Sequence, residues 1–330
     1  MSKERGDTLS QPRPASENGA DGNAQPFLER WADSPREPLL QAMRFGRLAI
    51  LLAAFLYTRL RAATPYLREM PAGARVLDYG CGTAKYTLFL ERARRLELVG
   101  IDISARAVQH GRVLARGLNT RSQLLVGDCQ ALPFEGASFD GVFSLDVLAH
   151  LPDPGQGIAE IARVLRPGGL AAVYAETNGF VRHRWTLQHY LVRQLGFDPL
   201  SEADLHVSLI SKEELERLFA EAGLEVVATR VAPEALLPFS FLLPAPGVEE
   251  ACRAYPQLAG KPLIRAVRAA NMLHGLAARV VPLRLVVYLV AAVVSALLMP
   301  FLKRDTGGVT FKLRRRARVS ENAAVLRVTD

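Results

Sequence analysis

The pattern of apolar and polar positions starts with a long polar stretch. Residues 1–35 are rich in Ser, Pro, Gly, Asn and acidic residues, which predicts a disordered leader without a secretory signal. Residues 36–70 then follow a helical pattern, within which the run 48–58 is nearly all apolar and is flanked by arginines. Eleven residues are too few to span a bilayer, so this helix is either buried or lies in a membrane interface.

From residue 75 onward, strand and helix signals alternate with short connections. Ser104 and Ser211 are good N-cap residues for two of the helices, and a third helix over Ile158–Leu165 is expected to stop at Arg166-Pro167-Gly168-Gly169. The predicted strands are Arg75–Asp78, Leu98–Asp102, Leu124–Asp128, Phe139–Asp146, Leu170–Glu176 and Leu224–Val231. This β-α-β order predicts an α/β fold with a mainly parallel sheet that is covered on both faces.

After residue 232 the regular alternation ends. Residues 233–306 form an apolar insertion, in which Leu285–Leu302 gives 18 residues without a charge. Val309–Leu313, within the segment 307–316, resembles a last strand, and the basic tail 317–330 follows it. A single crossing of a bilayer would leave this strand on the wrong side. The insertion therefore lies in or dips into a membrane, or it forms a buried helical cap.

A candidate site begins where the first predicted strand ends. Asp78 leads into Gly80 and Gly82, and two glycines at this spacing allow a sharp bend and a close approach to a ligand. Asp102 ends the next strand 22 residues after Gly80, where a carboxylate can accept hydrogen bonds from both hydroxyls of a ribose. The pattern predicts an adenosine-type cofactor at the carboxyl edge of the sheet.

Two common nucleotide motifs are excluded at this turn. A dinucleotide fingerprint would need a glycine where Lys85 stands, and no Gly-Lys-Ser/Thr follows to form a phosphate-binding loop. The motif is instead Asp-x-Gly-x-Gly. Further motifs stand in register with it, namely Asp102, Gly127-Asp128-Cys129 with Leu132-Pro133-Phe134, Ser138-Phe139-Asp140 leading into Leu145-Asp146, and Leu165-Arg166-Pro167-Gly168-Gly169.

With these motifs, residues 70–231 resemble the type-11 branch of the class I S-adenosylmethionine-dependent methyltransferases. The resemblance implies a methyltransferase enzyme with S-adenosyl-L-methionine as its cofactor. It also implies a Rossmann-like class I methyltransferase fold with a seven-stranded, mostly parallel sheet. In that fold the core would be residues 71–232, and the final strand would follow the insertion.

The resemblance assigns roles in the glycine turn. Asp78 would order the turn near the amino-acid end of the cofactor, and the backbone at Gly80 and Gly82 would pass against it. The family usually has a third glycine where this chain has Ala84. Alanine adds a methyl group in a tight turn.

The resemblance also assigns roles beyond the turn. Asp102 would bind the ribose hydroxyls, and Ile103 would pack on the adenine. Asp128 would accept a hydrogen bond from the adenine amino group, with Cys129 beside it. Leu145, at the end of the fourth strand, would line the methionine moiety.

The acceptor side of the site is less clearly marked. His150 is either the catalytic base or a substrate ligand, or else a structural cap of its loop. Asp146 is the next candidate, although it could equally orient the ammonium group of the cofactor. Asn178 and His206 lie where relatives place substrate contacts, but residues of these types are also common in loops. No residues have the spacing of a metal site, so no metal is expected.

Composition changes the picture in two ways. The net charge is +8, but residues 303–330 contain eight Lys/Arg and three Asp/Glu, which leaves only +3 for the rest of the chain. This distribution indicates a basic tail on a nearly balanced body, so no DNA partner is expected. Cys81, Cys129 and Cys252 lie too far apart for a disulfide framework or a zinc site, which favours a reducing compartment.

Three hypotheses about function follow. The leading one is a methyltransferase for a lipophilic acceptor, such as a quinone precursor, an isoprenoid or a lipid. It would be cytoplasmic, and peripheral or monotopic on the inner face of the membrane. The second is a modified-nucleoside methyltransferase for tRNA, because Cys81–Tyr86 and Ile158–Gly169 are similar to tRNA wobble-uridine methyltransferases and the basic tail could contact RNA phosphates. The third is a non-catalytic, methyltransferase-like membrane adaptor, for which Ala84 is the only argument.

Overall fold

A computed structural model describes residues 58–198, 205–243, 245, 247–277 and 281–317. Within them, seven strands form one sheet in the order β3-β2-β1-β4-β5-β7-β6. The strands are β1 Arg75–Tyr79, β2 Glu97–Asp102, β3 Gln123–Val126, β4 Phe139–Leu145, β5 Leu165–Glu176, β6 Leu224–Ala232 and β7 Gly308–Arg315.

The sheet is parallel from β3 to β5. β1 pairs with β2 on one side and with β4 on the other, so the chain winds outward from β1 in both directions. β7 runs antiparallel to both of its neighbours, β5 and β6. The predicted Rossmann-like sheet of seven mostly parallel strands is confirmed, including a last strand around Val309–Leu313. Ligands in such sheets bind where the strand order reverses, which here is the carboxyl end of β1 and β4.

Helices cover both faces of the sheet. Ser104 Oγ accepts from the Ala107 amide at 3.2 Å, and Ser211 Oγ accepts from the Glu214 amide at 3.1 Å, so both predicted N-caps are confirmed. The helices are α1 Thr58–Leu67, α2 Lys85–Ala93, α3 Ala105–Leu118, α4 Pro154–Val164, α5 Gly179–Arg182, α6 Leu187–Leu195, α7 Lys212–Glu221, α8 Phe239–Leu242, α9 Gly247–Ala254, α10 Pro262–Ala277 and α11 Val281–Leu298.

Alternation of side chains along the strands creates two cores, one on each face. Val76 belongs to one buried cluster and its neighbour Leu77 to the other. Leu60 and Leu67 of α1 are buried in the same cluster as Val76. Helix α1 therefore packs on this face, and its first turn reaches the carboxyl edge of the sheet.

The predicted start of the fifth strand is wrong. Helix α4 ends at Val164, within one residue of its expected end, but residues 166–169 belong to strand β5, which was expected to begin only at Leu170. The pairing of β4 with β5 shifts between Phe139 and Gly141, which accommodates the extra residues. Gly168 has φ +79°, so the Pro-Gly-Gly sequence serves an irregular strand start.

The segment between β6 and β7 is helical. Its α9 and α10 pack against α6 through buried residues that include Leu191, Val248 and Ile264. Helix α10, helix α11 and the short turn after α11 carry large apolar side chains on their exposed faces: Met272, Leu273, Leu276, Val286, Leu289, Val290, Val293, Leu297, Leu298 and Phe301. Among the described residues, no helix has the length and apolar character needed to cross a membrane.

A polar contact joins this segment to α1. Arg61 lies 2.5 Å from the Glu234 carboxylate and 2.6 Å from Ser295 Oγ of α11. Ser295 Oγ also donates to Glu234. The predicted leader 1–35, the apolar run 48–58 except for its last residue, and the basic tail beyond residue 317 lie outside the described residues.

Candidate active site

The glycine turn connects β1 to α2 at the carboxyl edge of the sheet. Gly80 and Gly82 have φ +75° and +51°, in the left-handed region that favours glycine. The amides of Gly80 and Cys81 both donate to the Ile101 carbonyl, at 3.0 and 2.9 Å. A Cβ at position 80 would lie 2.3 Å from Val147 Cγ2, whereas one at position 82 would meet nothing within 4 Å. The backbone at Gly80 thus packs against the loop after β4, and the space beside Gly82 is open.

Asp102 holds the turn in this shape. Its carboxylate accepts from the Gly82 amide at 2.7 Å and from the Ser104 amide at 2.9 Å. Burial raises the pKa of Asp102, and these two amide hydrogen bonds oppose the rise. The residue predicted to bind a ribose therefore also orders the glycine turn, which the resemblance had assigned to Asp78. Ile103, the next residue in the chain, is 61% exposed.

Asp78 lies beneath the turn. Its side chain is buried and accepts a hydrogen bond of 2.5 Å from Thr87 Oγ1 on α2. Burial raises the pKa of Asp78 to about 7, even though the Thr87 hydrogen bond lowers it. Ala84, which caps α2, has φ +58°, so the position where relatives carry glycine keeps the left-handed conformation in this chain.

The other predicted cofactor residues lie around the same turn. Asp128 is exposed in the loop after β3, and its carboxylate accepts from the Gln130 amide at 2.8 Å. Cys129 is buried, and its carbonyl accepts from the Tyr79 hydroxyl at 2.9 Å. Burial also raises the pKa of the Cys129 thiol well above its usual range, which fits a packed residue and not a nucleophile. Leu145 is buried at the end of β4.

A second group of residues lies at the ends of β4 and β5. Arg59 of α1 forms ion pairs with Asp146, the residue after β4, and with Glu176, the last residue of β5, the second at 3.1 Å. Asp146 has φ +71°, an unusual value for a residue with a side chain. Glu176 also accepts from His206 Nε2 at 2.8 Å. We call Arg59, Asp146, Glu176 and His206 the charged cluster.

The charges in this cluster are strongly interdependent. Burial alone would raise the pKa of Glu176, but the hydrogen bond from His206 and the charge of Arg59 hold it below its usual range. Burial opposes the charge of Arg59, yet the carboxylates of Asp146 and Glu176 together raise its pKa. The Glu176 carboxylate and the Arg59 guanidinium are thus charged at neutral pH.

His150 lies beside this cluster, in a single turn of 3₁₀ helix after β4. Its ring centroid is 5.0 Å from that of His206, and its Nδ1 is 3.3 Å from the Leu205 carbonyl oxygen. Burial and the neighbouring His206 lower the pKa of His150, so its imidazole is neutral at pH 7. Asn178 is the N-cap residue before α5, and its backbone amide donates to the Ile210 carbonyl at 3.0 Å.

Sequence reasoning missed part of this arrangement. Arg59 was considered only as a flank of an apolar helix, and Glu176 only as the end of a strand. The one available signal was that Asp146 and Glu176 both end neighbouring parallel strands, since such ends meet at one edge. Nothing in the sequence indicated that Arg59, 117 residues before Glu176, would reach the same place.

Comparison with known proteins agrees with this geometry. The methyltransferase domain family matches residues 77–173. The methyltransferase GfsG of Streptomyces halstedii is 33% identical over 192 residues, covering 55% of this chain and 66% of that protein. The O-methyltransferase cnsE of Penicillium expansum is 32% identical over 168 residues, covering 49% and 56%.

A plant relative extends the range of named reactions. The 24-methylenesterol C-methyltransferase 2 of Oryza sativa subsp. japonica is 28% identical over 163 residues, covering 49% of this chain and 44% of that protein. The chain thus spans about half to two thirds of the length of these curated relatives. Residues 77–173 are thus a methyltransferase domain, and the sheet order and glycine turn around them are those of the class I S-adenosylmethionine-dependent methyltransferases.

The residues present fit the cofactor of this class. The space beside Gly82 leaves room for a ligand, and the exposed Ile103 offers it an apolar contact. Each carboxylate oxygen of Asp102 has a second lone pair for a ribose hydroxyl. The exposed carboxylate of Asp128 can accept from an amino group. These residues would hold the adenosine part of S-adenosylmethionine, with Leu145 towards its methionine part.

Proposed function

We propose that the chain methylates a hydroxyl oxygen of a lipophilic small molecule at a membrane surface, with His150 as the general base. When bound, S-adenosylmethionine supplies a methyl carbon on a positively charged sulfur, and the carbon–sulfur electron pair stays on that sulfur as the methyl group leaves. The proposed acceptor is a quinone precursor, an isoprenoid or a lipid.

The observation that carries this proposal is the setting of His150. A carbonyl oxygen can only accept a hydrogen bond, so the contact with Leu205 favours the tautomer with the proton on Nδ1. Nε2 then carries the lone pair and can take a proton. The lowered pKa keeps the ring neutral at physiological pH, as a base requires.

The position of His150 connects it to the cofactor side. Val147, three residues earlier, fills the space against Gly80. The imidazole therefore belongs to the loop that borders the glycine turn. As the acceptor oxygen forms its bond to the methyl carbon, its proton passes to His150 Nε2.

The need for a base disfavours a simple amine as the acceptor. A hydroxyl must lose its proton during methylation, whereas an amine can attack through its own lone pair. The name of the fungal relative, an O-methyltransferase, agrees with this choice.

The apolar faces of α10 and α11 support a lipid surface as the location. Ten large apolar side chains are exposed between Met272 and Phe301. Burial of apolar surface is worth about 25 cal/mol per Å². The exposed Lys303 and Arg304 follow directly, and each adds about 1 kcal/mol at an anionic surface. The name of the rice relative, a sterol methyltransferase, fits a lipophilic acceptor.

The chemical part is tested by label transfer. The full chain is incubated with S-adenosylmethionine labelled in its methyl group and an extract divided into lipid, RNA and water-soluble fractions. We expect label in the lipid fraction, in a product that gains about 14 Da because a methoxy group replaces one of its hydroxyl groups. Label in RNA would instead support the tRNA hypothesis, and no transfer to any fraction would contradict methylation by this chain.

The membrane part is tested by flotation with anionic vesicles. The wild-type chain should float, and the double variant Leu297→Asp/Phe301→Asp should not. The matched control is Val113→Asp/Val227→Asp, which changes exposed apolar residues on α3 and β6 and should still float. Equal flotation of the two variants would contradict docking through α11.

A further inference from the structure

The segment after residue 204 is docked on the turn that carries His150. The amides of Val207 and Ser208 donate to the Ala149 carbonyl, at 2.9 and 3.1 Å. Ser208 Oγ lies within hydrogen-bond distance of the Leu148 and Leu151 carbonyls, at 3.1 and 2.7 Å. The positions of Leu205 and His206 relative to His150 are therefore fixed by backbone contacts on both sides of that histidine.

Leu205 has an unfavourable backbone conformation. Its φ is +53°, in the left-handed region that residues with a side chain rarely adopt. In this conformation its carbonyl oxygen lies 3.3 Å from His150 Nδ1. Strained backbone that is retained in a folded protein is frequently found at functional sites.

His206 adds a charge at a defined place. Its side chain is 3% exposed, and its Nε2 lies 2.8 Å from the Glu176 carboxylate, which can only accept. Asp146 and Glu176 bring two negative charges, and Arg59 brings one positive charge. When His206 is protonated, the charges of these four groups sum to zero, and a further proton on His150 would lie beside a like charge at a ring separation of 5.0 Å.

We propose that Leu205 and His206 are positioning residues for His150. The Leu205 carbonyl keeps the proton on Nδ1, and His206, held in place by Glu176, disfavours a second proton on the neighbouring ring, so that Nε2 is ready to accept a proton. The inference rests on the proposed function, in which His150 is the base. The tautomer and the titration of His150 can nevertheless be measured in the protein without an acceptor. The charged groups that act on His150 are His206, Glu176 on β5 and Arg59 on α1, and Arg59 in turn pairs with Asp146 after β4.

Nitrogen NMR of the imidazole rings tests both properties on the full chain. His150→Gln identifies the signals of His150. In the wild-type chain we expect the Nδ1–H tautomer and a titration midpoint below that of an ordinary histidine. In His206→Gln the midpoint should move to higher pH with the tautomer unchanged. His189→Gln is the matched control, because His189 Nδ1 also lies by a carbonyl, 2.7 Å from that of Val181, but outside the site.

The role of Leu205 is tested by a pair of variants. Leu205→Gly favours a positive φ and should keep the Nδ1–H tautomer. Leu205→Val, which is β-branched, disfavours that φ and should give a mixture of tautomers. An Nε2–H tautomer in the wild-type chain, or the same tautomer in both variants, would overturn the role of Leu205. An unmoved midpoint in His206→Gln would overturn that of His206.

The pH dependence of label transfer in His206→Gln distinguishes a residue that positions His150 from one that only stabilises the fold. The pH at which label transfer is half-maximal should move up in His206→Gln, along with the NMR midpoint. A loss of rate at every pH with an unchanged profile would indicate only a structural role and would count against the proposal. Because the NMR measurement needs no acceptor, failure of label transfer in the wild-type chain would overturn the proposed function without deciding this inference.

Discussion

The two halves of the carboxyl edge of the sheet are held together in different ways. On the β1–β2 side, Asp102 binds backbone amides within the turn and at the start of α3. On the β4–β5 side, Arg59, Glu176 and His206 bind one another's side chains from distant parts of the chain. Backbone partners are present in any sequence, whereas each side-chain partner must be supplied by its own residue. The first half can therefore be shared by a whole family, and the second can differ with the acceptor.

The largest expected effect is on the acceptor half. His150→Gln should lower the rate of label transfer by roughly 10²–10⁴-fold, because a positioned base contributes about that much. Binding of S-adenosylhomocysteine, measured by calorimetry, should remain unchanged. Equal losses of rate and of binding would place His150 in the cofactor half and break the comparison.

A smaller effect is expected at Asp102. Asp102→Ala removes charge-assisted hydrogen bonds to the cofactor and to two amides, each worth roughly 1.5–3 kcal/mol, so affinity for the cofactor should fall by more than about tenfold. The matched control is Asp128→Ala, whose exposed carboxylate should contribute less. Calorimetry on both variants checks the order. A larger loss in Asp128→Ala would contradict the central role of Asp102.

These expectations also indicate what the sequence could predict. The glycine turn was predictable because Asp78, Gly80 and Gly82 are neighbours in sequence and Asp102 ends the next strand. The parallel order followed from local strand and helix signals. The charged cluster was not predictable, because its contacts join residues that are far apart in the sequence. His206 lies 30 positions after Glu176, and Arg59 lies 117 positions before it. These contacts depend on how α1 and residues 205–208 pack against the sheet. Residues 166–169 were expected to lie outside the strand, because a bulged strand start uses the same Pro and Gly residues that end a helix.

The next effect concerns stability and pH. The pKa of Asp78 is raised to about 7 in the folded chain from an ordinary value of 3.8, so the folded state favours its protonated form. Its contribution to stability is fully present below about pH 4 and is lost as pH rises through about 7. Asp78→Asn should flatten this part of the dependence of the unfolding free energy on pH, measured by chemical denaturation.

Thr87→Val sharpens the same test. Removing the hydroxyl that donates to Asp78 removes a contact that lowers its pKa, so the loss of stability should extend to higher pH. Identical pH profiles for the wild-type chain and Asp78→Asn would contradict the buried, raised pKa.

The smallest effect is expected at Ala84. Ala84→Gly should be tolerated and should stabilise the chain by about 1 kcal/mol or less, because glycine adopts a φ of +58° without strain. Ala137→Gly is the matched control, with φ +57° away from the glycine turn. If only Ala84→Gly tightens cofactor binding, the turn favours glycine for the ligand as well as for the backbone. A large loss of binding would show that the turn is adapted to alanine.

The position of β7 in the chain determines when the sheet can be completed during translation. β7 lies between β5 and β6, yet it follows them in the chain, after the helices α8 to α11. The apolar helices therefore leave the ribosome before the sheet can close, and β5 and β6 must wait with an edge that lacks its final partner. A chain shortened before Gly308 would keep both edges exposed, and unpaired edges of this kind promote aggregation.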